Sequence, residues 1–333
     1  MSQMTPHVLP LNGIELHLYA AGPLDGPPVW LLHGFPECWY SWRRQVVPLV
    51  TAGYRVLIPQ MRGYGDSSAP EDVAAYDVLT LCADIQQAMD ALGQQRACVV
   101  GHDWGAVVAW HLALLEPRRI TALVTLSVPF AGRPGRPAVE IMRKLFAERF
   151  NYILYFQEPG VAEQELDADI DRSLLHFMHD CERLLDDKSP QALLFDGMPP
   201  RHAPPAWCTE QDFTEYRRTF AGRGFRGALN WYRNFERNWQ RTEHLGTLQV
   251  SQPTLFMIGD RDPVGRLEAL TLERMPGKVP RLEQHRLKDC GHWIQSEKAD
   301  EVNRRLLDFL GRNYPCPPAV QAGASVTGCG IRG

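Results

Sequence analysis

The stretch that decides the fold is Gly101-His102-Asp103-Trp104-Gly105. It ends an apolar run at residues 97–101 that is typical of a buried strand, and it opens a helical pattern at residues 104–115. A sharp strand-to-helix turn strains its central residue and excludes bulky neighbours, which gives the flanking glycines a steric reason. The positive end of the helix favours an ionised Asp103. The pattern predicts a nucleophilic carboxylate, although the pentapeptide alone fits a helix N-cap equally well.

Two further segments favour the nucleophile. They are Gly259-Asp260-Arg261-Asp262-Pro263-Val264, directly after a strand at residues 254–258, and Gly291-His292-Trp293, before the last helix. Taken singly, a turn aspartate and a helix-entry histidine are ordinary structural residues. Together they complete the chain order nucleophile, acid, histidine that α/β-hydrolases use for their triads. Asp262 is preferred as the acid because in α/β-hydrolases the acid follows the glycine after two intervening residues. Asp260 is the alternative and suits turn capping.

A fourth segment follows the first buried strand, at residues 29–32. It reads His33-Gly34-Phe35-Pro36-Glu37. In this fold the loop after that strand supplies one N–H of an oxyanion hole, and the residue after the nucleophile supplies the other. The backbones of Phe35 and Trp104 are therefore the expected donors, while His33 is expected to orient the loop.

The rest of the chain alternates short strands with helices, which predicts an α/β fold with a mostly parallel sheet flanked by helices. Further strands are expected at residues 54–58, 120–126, 254–259 and 281–287, and helices at residues 78–92 and 299–310, with Gly93 and Gly311 as their stops. After residue 126 the pattern changes to Gly and Pro and then to aromatic-rich helices until about residue 245. We expect a core of residues 1–131 and 246–313, a helical cap inserted at residues 132–245, and a flexible tail at residues 314–333.

Composition excludes several function classes. The 333 residues carry 35 Lys and Arg against 39 Asp and Glu, a formal charge of −4, without a basic run that could follow a phosphate backbone, which argues against nucleic acid. The N-terminus lacks the pattern of a signal peptide, and no apolar stretch could span a bilayer. The eight cysteines are scattered, with no zinc spacing, so we expect reduced thiols in the cytoplasm. No metal or organic cofactor is implied.

An aspartate nucleophile selects the substrate. It suits backside displacement at a saturated carbon and produces an alkyl ester of the enzyme, which His292 and water can hydrolyse. If the leaving group is an epoxide oxygen, an acid is needed, and a tyrosine hydroxyl with a pKa of about 10 can serve without being ionised. Two inserted stretches carry tyrosines, Phe150-Asn151-Tyr152-Ile153-Leu154-Tyr155-Phe156-Gln157-Glu158-Pro159-Gly160 and Asn230-Trp231-Tyr232-Arg233-Asn234. Without further information these aromatic residues would be assigned to a core.

From about residue 7 to residue 313 the sequence resembles the soluble epoxide hydrolases, including the hydrolase domain of the mammalian enzyme. The resemblance is carried by the four segments above and by the two tyrosine stretches. It implies that Asp103 is the nucleophile, that His292 and Asp262 activate water, and that Tyr152 and Tyr232 protonate the epoxide oxygen. Tyr155, three residues after Tyr152, is the tyrosine most easily mistaken for it.

The expected partners are a small epoxide and water, in a monomer or homodimer. Cap aromatics suggest an apolar pocket for lipid-like or aryl epoxides. Phe35 and Trp104 are expected to line it, with Trp39 and Phe130 at its mouth, although each fits aromatic packing when taken singly.

Two other functions remain open from the residues. A haloalkane dehalogenase shares the aspartate nucleophile, and Trp104 could offer its indole N–H to a halide, but such enzymes tend to have asparagine where Phe35 stands. Fluoroacetate dehalogenases want arginine where Trp104 stands. A non-catalytic binding module of this fold usually lacks a triad member, and here all three are present.

Overall fold

The fold is known from a computed structural model, which describes residues 4–316. Within these residues there is one sheet of eight strands, in the order β1-β2-β4-β3-β5-β6-β7-β8. The strands are β1 Thr5–Leu11, β2 Ile14–Ala21, β3 Pro28–Leu32, β4 Arg55–Pro59, β5 Ala97–His102, β6 Ile120–Leu126, β7 Thr254–Gly259 and β8 Leu282–Leu287. β2 is antiparallel to β1 and to β4, and the remaining neighbours are parallel. The predicted, mostly parallel sheet is confirmed.

Helices cover the sheet and follow its strands. Before the insertion they are α1 Arg43–Thr51, α2 Val78–Ala91 and α3 Trp104–Leu115. The inserted helices are α4 Ala138–Leu145, α5 Tyr152–Tyr155, α6 Val161–Leu166, α7 Ile170–Asp180, α8 Glu210–Phe220, α9 Arg226–Arg233 and α10 Phe235–Arg241. The last four are α11 Pro263–Leu267, α12 Ala269–Arg274, α13 Ile294–Glu297 and α14 Ala299–Asn313. None of the helices described is long and apolar enough to cross a membrane.

The core consists of two apolar layers, one on each face of the sheet. Neighbouring residues of a strand point to opposite faces, so Trp30 joins the layer covered by α2 and α3. Leu31 joins the layer covered by α1 and α14. β5 is buried along its whole length, as a central parallel strand must be.

The inserted helices pack against the edge of the sheet where the parallel strands end. Phe35, three residues after β3, has its ring centroid 5.6 Å from Phe156, 5.2 Å from Phe177 and 5.3 Å from Tyr232. The chain leaves the sheet after β6 and returns in β7, which pairs directly with β6. The insertion therefore adds a layer of helices without interrupting the sheet.

The structure differs from the sequence predictions at two places. β1 and β2 were not predicted. The predicted end of the last helix at Gly311 is wrong, because α14 continues to Asn313. The expected tail falls largely on residues 317–333, which lie outside the described residues. The predicted stop of α2 is close to correct: its last residue is Ala91, and Gly93 has a φ of +67°.

Gly311 and Gly93 give a matched stability test, since a Cβ would meet open space at both. Replacing the helical Gly311 with alanine is expected to raise the free energy of unfolding by about 0.5 to 1 kcal/mol. The same change at Gly93 is expected to lower it by about 1 to 2 kcal/mol, since a side chain disfavours positive φ. Urea unfolding followed by circular dichroism measures both, and changes of the same sign would contradict the assignment.

Candidate active site

Asp103 lies at the junction of β5 and α3 with φ of +51° and ψ of −122°. This positive φ is a strained conformation for a residue with a side chain. The neighbouring glycines permit the turn, because a Cβ on Gly101 would overlap the carbonyl of Gly105, and one on Gly105 would overlap that of Leu32. The Asp103 side chain makes no N-cap hydrogen bond within the described chain. The strained turn aims its carboxylate at the loop after β3 instead.

The two oxygens of the Asp103 carboxylate have different surroundings. Oδ1 accepts a hydrogen bond of 2.7 Å from the backbone N–H of Phe35. Oδ2 lies 3.7 Å from Nε2 of His292. Burial raises the pKa of Asp103, while the charges of His292 and His102 and the N–H groups of Phe35 and Trp104 act to lower it. Oδ1 is thus held by the Phe35 N–H, and Oδ2 faces the histidine.

His292 is oriented by Asp262. Its Nδ1 lies 3.0 and 3.1 Å from the two carboxylate oxygens of Asp262, and the Asp262 carboxylate also accepts the N–H of Val264. Burial acts to lower the pKa of His292, but the Asp262 and Asp103 carboxylates outweigh it and raise that pKa to about 9. Nδ1 therefore donates to Asp262, and Nε2 is turned toward Asp103.

Asp260, the alternative acid, lies apart from His292. It is exposed, and its Oδ1 accepts the backbone N–H of Cys290 at 3.1 Å. The structure thus joins His292 to Asp262, and Asp260 caps the neighbouring turn.

The two tyrosines approach from the inserted helices. Tyr152 begins α5 and Tyr232 lies in α9, with ring centroids 6.3 Å apart. Burial, followed by the charge of Asp103, raises the pKa of both hydroxyls well above their ordinary value, so both are neutral phenols. Tyr155 points elsewhere and donates its hydroxyl to Glu165 at 2.9 Å.

One cavity joins these groups. It has an empty volume of about 460 Å³, part of it open to solvent, and its polar lining is Asp103, Tyr152, Tyr232 and His292. The surrounding side chains are apolar or aromatic, among them Phe35, Phe177, Leu184, Leu267 and Trp293. No cluster of side chains that could hold a metal ion occurs in residues 4–316.

The other expected lining residues lie elsewhere. Trp39 stacks on Tyr19 at 3.8 Å and borders a crevice beside Asp66. Phe130 stacks on Trp110 and, with Trp104, lines a second apolar pocket. The predictions that Trp104 lines the Asp103 cavity and that Trp39 and Phe130 lie at its mouth are therefore corrected, because Trp104 borders the second pocket and the other two rings each have a stacking partner of their own.

Comparison with known proteins agrees with this architecture. Residues 27–299 match the family model of the alpha/beta hydrolase fold. The chain is 41% identical to epoxide hydrolase A of Mycobacterium tuberculosis, over 93% of this chain and 98% of that protein. It is 41% identical to bifunctional epoxide hydrolase 2 of the pig, over 91% of this chain and 54% of the pig protein. The crystal structure of epoxide hydrolase A from Mycobacterium thermoresistibile superposes with a TM-score of 0.88 at 41% identity, covering 92% of this chain and 98% of that one.

This chain belongs to the epoxide hydrolases of the α/β-hydrolase fold. Its likeness to family members of similar length covers both the sheet and the inserted helices.

Sequence reasoning missed a buried polar network beneath the epoxide hydrolase site. Nδ1 of His102 lies 2.7 Å from the Glu37 carboxylate, and Nε2 lies 2.9 Å from the carbonyl oxygen of His292. Glu37 also accepts the N–H of Gly34 and the side-chain amide of Gln295. Burial acts to raise the pKa of Glu37, but His102 outweighs it and the pKa is lowered. His102 and Glu37 both stand inside the quoted motifs. A titratable residue at a position expected to be buried could have indicated this network.

The pKa of His292 distinguishes between Asp262 and Asp260 as its carboxylate partner. Asp262→Asn is expected to lower the pKa of His292 from about 9 by about 1 to 3 pH units, since it removes the negative charge that contributes most to the raised pKa. Below the ordinary value of 6.5 the protonated ring stabilises the fold fully, and this contribution is lost as pH rises through about 9. Nuclear magnetic resonance of the His292 ring measures the shift. Asp260→Asn is the control, and an equal shift there would reverse the assignment.

Proposed function

We propose that this chain hydrolyses epoxides to vicinal diols through an ester of Asp103. The observation that carries the proposal is the division of the Asp103 carboxylate, with Oδ1 bound by the Phe35 N–H and Oδ2 free in a cavity that two neutral tyrosines share. Relatives named epoxide hydrolases over nearly the whole chain support it. The apolar lining favours lipid-like or aryl epoxides.

In the first step Oδ2 of Asp103 attacks an epoxide carbon, and the bond from that carbon to the ring oxygen breaks. Tyr152 and Tyr232 hydrogen-bond the oxygen, and one of them donates its proton to it. The products are an alkyl ester of Asp103, a free hydroxyl and a transient tyrosinate. Because Asp103 has lost its charge, one of the carboxylates that raised the pKa of His292 is gone. His292 then gives up a proton, which returns the tyrosinate to its neutral form and leaves His292 neutral.

In the second step neutral His292 removes a proton from water while the hydroxide adds to the ester carbonyl carbon. The negative charge that develops on Oδ1 is held by the Phe35 and Trp104 N–H groups. Collapse of this intermediate expels the alkoxide of the diol, which takes the proton of the new carboxylic acid. Asp103 is again ionised and His292 again protonated, so the cycle closes.

We also propose that residues 132–245 act as a cap over a core of residues 1–131 and 246–313. The direct pairing of β6 with β7 supports this division. A cytoplasmic setting is proposed because the cysteines of residues 4–316 are free thiols.

The origin of the water oxygen tests the covalent route. In a single turnover of styrene oxide with excess enzyme in heavy-oxygen water, the label is expected in the Asp103 carboxylate, and the first diol formed is expected to be unlabelled. Mass spectrometry of the peptide that contains Asp103 measures this. A labelled diol with unlabelled Asp103 would exclude the ester, and halide release from a haloalkane without diol formation would indicate a dehalogenase.

Separate variants are expected to stop the two steps separately. His292→Gln should accumulate the ester, seen as an enzyme mass increased by the mass of styrene oxide. Tyr152→Phe combined with Tyr232→Phe should slow ester formation by about 100-fold to 10,000-fold, the usual range for a general acid. Tyr155→Phe is the matched control and should form ester at the unchanged rate. Rapid ester formation without Tyr152 and Tyr232 would refute their role.

A further inference from the structure

A glutamine joins the two tyrosine-bearing helices. Nε2 of Gln157 donates to the carbonyl of Ile153, the residue after Tyr152, at 2.8 Å. The same amide donates to the carbonyl of Tyr232 at 3.1 Å. One side chain thus holds the backbone beside both phenols.

A buried ion pair joins α9 to α6, and the same arginine also reaches the end of α5. Arg233 follows Tyr232, and its guanidinium contacts both carboxylate oxygens of Glu163 at 2.7 and 2.8 Å. Its Nε donates to the carbonyl of Phe156 at 3.0 Å. The side chains of Arg233 and Glu163 are only 3% and 13% exposed. The remaining N–H groups find acceptors on Asn230 and Glu158, so the fork has little freedom to shift.

The two helices differ in how they reach the core. α9 is fixed to it directly: the Trp231 indole donates to the carbonyl of Arg62 at 3.1 Å. Gly227 and Gly63 also pack so closely that a Cβ on either would overlap the other's backbone. In the described chain, by contrast, the hydrogen bonds of residues 150–160 all have partners within residues 132–245. A hydrogen-bonded route from α5 to the core therefore runs through α9, beside the direct packing of Phe156 on Phe35.

We propose that Gln157 and the Arg233–Glu163 pair are positioning residues that fix Tyr152 relative to Tyr232. The inference rests on the proposed function of the two tyrosines. Two phenols can bind one epoxide oxygen only if both O–H groups come within hydrogen-bond distance at once, and a displacement of an ångström breaks one of them. Loss of the connection therefore impairs protonation of the epoxide and leaves the later attack of water untouched.

Gln157→Met tests this, because it keeps the length of the side chain and removes its N–H donors. With styrene oxide in rapid-quench single turnovers, ester formation is expected to slow about tenfold, less than the roughly 100-fold that a 1 Å misplacement can cost. Ester hydrolysis is expected to keep the wild-type rate. Gln249→Met is the matched control, since Gln249 is exposed and makes a similar bond to the carbonyl of Gly277. It should change neither step.

The effect is also expected to depend on Tyr152. In a Tyr152→Phe background Gln157→Met should no longer slow ester formation, whereas an undiminished tenfold loss would overturn the proposal. Equal slowing of both steps, or of neither, would do the same. Glu163→Gln provides an independent variant with the same expected split between steps. If the wild-type enzyme forms no ester at all, the proposed function fails; if it forms ester and Gln157→Met matches it, only this inference fails.

Discussion

The hydrogen bond from the Phe35 N–H to Oδ1 of Asp103 links two segments that lie far apart in the chain and side by side in the sheet. β3 and β5 are parallel neighbours, so the residues that follow them emerge at the same edge. The positive φ of Asp103 turns its carboxylate toward the β3 loop, and Gly34 leaves room for it, because a Cβ there would overlap the Asp103 side chain. This geometry decides which oxygen is held and which is free, and the remaining groups are arranged around the free one.

Beneath this bond, buried carboxylates alternate with imidazole rings. Both ring nitrogens of His102 face oxygen atoms, and its Glu37 partner accepts further N–H donors. His292 lies between the carboxylates of Asp103 and Asp262, which raise its pKa to about 9. Burying an isolated carboxylate would neutralise it, whereas neighbours of opposite sign favour the ionised form of the nucleophile.

The sequence predicts best those features that local chemistry determines. Central strands such as β5 and β7 are buried on both faces and read as apolar runs. β1 and β2 are half-exposed strands at the sheet edge; the alternation of apolar residues in β2 was a usable but weaker signal. Gly311 remains helical because Phe309 and Leu310 pack on the core, and this tertiary contact outweighs the local preference. The contact between Glu37 and His102 depends on the order of the strands in the sheet, which cannot be predicted from a local sequence pattern.

In the proposed mechanism the core supplies the nucleophile and the insertion supplies the acids. This arrangement has an electrostatic reason. An acid that lost its proton at rest would place a second negative charge beside Asp103. A phenol avoids this, because burial and the Asp103 charge keep its proton in place. In the proposed mechanism, that charge disappears as the ester forms, and the phenols become stronger acids at the moment when the epoxide oxygen gains negative charge. Formation of the carbon–oxygen bond and transfer of the proton therefore favour each other, provided that both phenols are already held at the same oxygen.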